Sequence, residues 1–74
     1  MSKPKQLTFE QAVRELPEGV YYDPLAMTTL NDLRWSCLIQ LDLIEEGQDS
    51  AEGIDPKPIR RWLKKYGRPE GVKE

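Results

Sequence analysis

Cys37 is the one thiol of the chain, and there is no histidine anywhere to act as its base. Nucleophilic thiolates need a lowered pKa, supplied by an imidazole, a neighbouring cation or a helix N-terminus. No general base lies on the helical stretch around Cys37, and its stripe neighbours Leu33 and Leu41 are apolar. Burial there raises the thiol pKa and leaves it inert, so Cys37 reads as core. Without histidine the commonest general acid and base is also missing.

Asp49, Glu52 and Asp55 sit in a glycine-bearing loop that resembles a calcium site only superficially. An EF-hand loop places oxygen ligands at positions 1, 3 and 5 and a glutamate at 12. Counted from Asp49, those later positions are Ala51, Gly53 and Arg60. The loop therefore reads as solvated, and one thiol without an imidazole makes a structural zinc site no more expected. The glycines stand apart at 19, 47, 53, 67 and 71, which leaves no phosphate-cradling loop. No metal, no cofactor and no enzymatic activity are expected.

The charged residues are more informative. Net charge is −2, too small for a long-range pull toward nucleic acid or anionic lipid. Yet Asp42 to Asp55 holds six acids and no base, and Lys57 to Arg68 holds six bases and no acid. Arg60, Arg61, Lys64, Lys65 and Arg68 fall on the face of a helix away from Ile59, Leu63 and Tyr66. A basic helix bearing aromatics can read DNA. The same pattern also serves the helix C-terminus through the macrodipole, pairs with the preceding acids, or contacts an acidic partner. At least seven residues separate this helix from the one before it, against the tight 3–4-residue turn of a helix-turn-helix. Pairing or solvation is therefore favoured over nucleic acid. A membrane-surface role is weaker still, because so short a helix buries little apolar area.

These residues must be positioned by helices. The spacing predicts three, short–long–short, in a small all-α domain spanning residues 7–67, with tails at 1–6 and 68–74. Thr8 with Gln11 forms a capping-box pattern, followed by Phe9, Ala12, Val13 and Leu16 on one stripe. Pro17 ends that helix. Val20-Tyr21-Tyr22 is β-prone but short, and reads as an extended connector whose tyrosines cover the core. Asp23-Pro24 starts a turn, and the long helix runs from about Thr29 to Glu46, stopped by Gly47. Asp55-Pro56 starts the third helix, whose stripe is Ile59, Trp62, Leu63 and Tyr66, ended by Gly67 and Pro69.

The long helix is apolar on two opposite sides. At about 100° per residue, Leu30, Leu33, Cys37, Leu41 and Ile44 line one face, while Trp35, Ile39 and Leu43 line the other. Either the flanking helices cover one side each, or they share one side and the second stripe meets another chain. A domain of 74 residues yields only about 3–5 kcal/mol of net stability from its core, and neither disulfide nor metal is available to add to it. That favours a second chain on Trp35, Ile39 and Leu43: a protein partner or a second copy, in a homodimer.

No stretch reaches the roughly 18–20 apolar residues of a membrane span, and the first six residues lack the apolar core of a signal peptide. A cytoplasmic setting is expected. The reading that results is a small non-enzymatic protein-binding regulator, of the accessory kind that phages and mobile elements encode. The alternative is a nucleic-acid-binding regulator using the helix at 57–68.

Overall fold

The structure, a computed structural model, describes residues 5–69. Three helices follow one another: α1 (Lys5–Arg14), α2 (Leu30–Glu45) and α3 (Pro56–Tyr66). Residues 1–4 and 70–74, most of the two expected tails, lie outside the described residues.

Helix α1 starts three residues ahead of the Thr8 pattern, which therefore lies within the helix instead of capping it. Lys5, Gln6 and Leu7 are strong helix formers, so nothing halts the helix at Thr8. Its C-terminal end tightens through a bond from the Leu16 N–H to the Val13 carbonyl, 3.2 Å. Next comes a β-turn closed by the Val20 N–H on the Pro17 carbonyl, 3.3 Å. Gly19 occupies it at φ 94°, in the left-handed region that favours glycine. A β-carbon at Gly19 would stand 3.0 Å from the Ile54 side chain, so this turn packs directly on the approach to α3.

No strand forms among the described residues, and Val20–Tyr22 is irregular backbone. Asp23 then organises a turn, its carboxylate accepting from the Leu25 N–H at 3.0 Å and its carbonyl from the Met27 N–H at 2.7 Å. Thr29 caps α2 in a complete capping box. Its hydroxyl accepts from the Asp32 N–H, and the Asp32 carboxylate accepts from the Thr29 N–H at 3.1 Å. Those bonds hold the Asp32 carboxyl below its usual value. Helix α2 stops as Gly47 predicts. The Gly47 N–H reaches the Ile44 carbonyl and the Gln48 N–H reaches Leu43, with Gly47 at φ 76°. This is the paired bonding of a Schellman end. The loop beyond it is less solvated than its composition suggests, since a 3₁₀ turn at Asp49–Ala51 buries Ala51.

The core is made by Leu33, Cys37 and Leu41 of α2, with Ala12 of α1, Met27 of the connector before α2, and Ile59, Trp62 and Leu63 of α3. Both short helices thus pack against the same face of α2. They are also joined to each other. The buried Trp62 indole N–H donates to the Ala12 carbonyl at 3.1 Å. At the surface, Glu15 accepts from Lys65 at 2.8 Å and from the Tyr66 hydroxyl at 2.7 Å.

These donors, Lys65 first, lower the Glu15 pKa to about 2 from an ordinary 4.5. Because the folded value lies below the ordinary one, stability from this cluster is complete above pH 4.5 and is lost as pH falls toward 2. Lys65 is shifted upward by the same contact, so its share is lost only as pH rises past 10.5. Thermal melting of the wild type should therefore drop more steeply across the acid range than that of Glu15→Gln, which starts lower at neutral pH. Parallel curves would remove the cluster from the account of acid stability.

Candidate protein-binding surface

With α1 and α3 on one side, the opposite side of α2 is left open. Trp35 is 41% exposed and Ile39 53% exposed, while Leu43 is half-buried. The connector before α2 runs alongside this row. It is held there by the Ser36 hydroxyl, which donates to the Tyr21 carbonyl. Tyr22 packs on the core and Tyr21 turns outward, 66% exposed. Only one of the two tyrosines covers the core, against the expectation for both.

Tyr21, Met27, Trp35 and Ile39 line an open, mainly apolar groove of about 260 Å³. That is below the roughly 300–1,000 Å³ of small-molecule pockets, so it suits one or two side chains of a partner. Asp32 is the one charged residue in its lining. Leu25, on the same connector, is 91% exposed. Tyr21, Met27 and Ser36 had no signal in the periodicity of α2.

The basic helix is divided by its packing. Arg60 faces α2 and pairs with Glu45 at 2.8 Å, and Lys65 faces α1 and pairs with Glu15 at 2.8 Å. Arg61 and Lys64, with Lys57 one turn before, form the outward row of α3, and Arg68 follows the Gly67 cap. These four are exposed and form no ion pair among the described residues. The expected pairing of the basic run with the acids at 42–55 is thus limited to Arg60 with Glu45. Lys65 finds its acid at Glu15, just past the end of α1, instead.

A search of known protein families, of curated proteins and of solved structures finds no match to this chain. Function has to be read from the surfaces themselves.

Cys37 is fully buried, and burial pushes its thiol up to about 12. Cys37→Ala should cost roughly 1 kcal/mol or somewhat more through lost packing. Native Cys37 should react with a bulky maleimide far more slowly than the unfolded chain does, and rapid native labelling would contradict its placement. Among the described residues Asp49, Glu52 and Asp55 do not converge with one another, and no group of three acids or thiols is arranged to hold a metal. No helix among them is long and apolar enough to cross a membrane.

Proposed function

We propose that this chain is a small non-enzymatic binding protein of the cytoplasm that regulates another protein by offering it the outer face of α2. The observation that carries this reading is the exposed Trp35–Ile39 row, on a helix whose other face is already filled by core. Trp at the centre of an exposed apolar row is a common anchor in helix-mediated contacts. A groove floored by Met27 and walled by Tyr21 adds a seat for a partner's side chain. The protonated, buried Cys37 supports a role without nucleophilic chemistry, and an unpaired thiol suits a reducing compartment.

A second reading, nucleic-acid binding, is favoured by the four exposed cations Lys57, Arg61, Lys64 and Arg68. The two are separated by one set of measurements. Capture of a protein partner should be lost in Trp35→Ser with Ile39→Ser and kept in Arg61→Ala with Lys64→Ala. Binding to a random duplex should be weak, with a shallow salt dependence. A protein that places these cations on phosphates would show a log–log slope near −0.9 per phosphate contacted. Tight duplex binding with a steep slope, abolished by the α3 substitutions, would replace the first reading with the second.

A further inference from the structure

The open face of α2 is bordered by charge of a single sign. Positions three and four apart on a helix are surface neighbours. Trp35 has Asp32 three residues before it, Ile39 has Asp42 three after, and Leu43 has Glu46 three after. The other neighbours at those spacings are apolar, uncharged polar or glycine, and none is basic. The sole base of α2, Arg34, is engaged elsewhere, its Nε donating to the Tyr66 carbonyl at 2.8 Å. Asp42 and Glu46 are exposed and form no ion pair among the described residues.

We infer that the α2 groove takes a cationic amphipathic segment of another protein, its apolar anchors on Trp35 and Ile39 and its Lys or Arg flanks over Asp42 and Glu46. The inference rests on the protein-binding reading above and adds the chemistry of the partner. Complementary potentials favour such a segment, and like charge opposes the other occupants. A two-fold dimer through this face is isologous, so it would set each acidic rim against its own copy. A head-to-tail contact with α3 of another copy brings cations but no exposed apolar anchor, since Ile59, Trp62 and Leu63 are buried. Anionic lipid and nucleic acid are both repelled by the rim.

Two synthetic amphipathic peptides test this, sharing one leucine row and differing only in Lys or Glu at the flanking positions. The readout is the indole N–H resonance of Trp35 in the full chain. The Lys peptide should bind at least about tenfold more tightly than the Glu peptide, and salt should shrink the gap. In Asp42→Lys with Glu46→Lys, both at exposed positions, the preference should invert. Equal binding of the two peptides, or preference for Glu, overturns the charge assignment and leaves apolar docking at Trp35 standing. Failure of the Lys peptide to move Trp35 overturns the inference, while the capture experiment above decides the protein-binding reading separately. A Trp35 resonance that shifts with the chain's own concentration, together with a dimer's mass in sedimentation, gives the groove to a second copy and overturns the inference as well.

Discussion

Replacing Trp62 by alanine is expected to leave the chain without a cooperative melting transition. Trp62 is 4% exposed and lies among Ala12, Leu33 and Leu63 in the core cluster that joins all three helices. Its ring also lies 4.7 Å from that of Tyr66, tilted by 38°. Removing a buried tryptophan side chain costs about 3–5 kcal/mol, and a domain this small holds about that much in total. The truncation has a second effect, because the Ala12 carbonyl loses the indole N–H that satisfies it at 3.1 Å. Trp62→Phe separates the two effects. It keeps most of the ring volume and loses the bond, so it should melt cooperatively with a loss of about 1 kcal/mol from the missing hydrogen bond. Circular dichroism on heating checks both. An alanine variant that melts like the wild type would mean that α3 is not held through Trp62.

Much of this arrangement is legible in the residues one element at a time. Asp55 before Pro56 marks the start of α3, and its carboxylate does accept from the Lys57 N–H at 3.0 Å. Gly47 and Gly67 mark the two C-terminal ends, both at positive φ. Leu33, Cys37 and Leu41 are correctly read as one buried stripe because helical periodicity is a local property of the chain. What periodicity leaves open is which neighbour covers which stripe. That choice depends on how the connectors fold. Gly19 lets the first connector turn tightly enough to reach Ile54, and the Asp23 turn brings the chain back beside α2. The Glu15–Lys65 pair spans fifty positions, so no local pattern announces it. The same holds for the Tyr21 side of the groove, which depends on one hydroxyl, that of Ser36, catching a carbonyl fifteen residues earlier. The early start of α1 is a different kind of difference. A capping pattern is permissive, and good helix formers upstream of Thr8 override it.

The opposite side of α2 should respond in the opposite way to Trp62. The double substitution Trp35→Ser with Ile39→Ser is expected to preserve a cooperative transition and to abolish partner binding. Trp35 and Ile39 are 41% and 53% exposed, and neither belongs to the core cluster. Surface substitutions away from special features usually fall within about ±0.5 kcal/mol, and the covered half of each side chain raises the expected cost to about 2 kcal/mol for the pair, which lowers the melting temperature without removing the transition. Binding should suffer far more, because truncating an interface anchor costs about 2 kcal/mol or more, roughly thirtyfold in affinity for each residue. Solubility should improve at the same time, since the substitutions shrink an exposed apolar surface that also includes Tyr21 and Leu25. Chemical denaturation followed by the remaining tryptophan, Trp62, reports the folding, and titration with the captured partner reports the affinity. Unfolding of the double variant would place Trp35 and Ile39 in the core and remove the docking surface. A folded variant that still binds its partner with unchanged affinity would move the interface off α2. The joint pattern of intact folding and lost binding is what distinguishes a helix face kept open for a partner from one that is merely loosely packed.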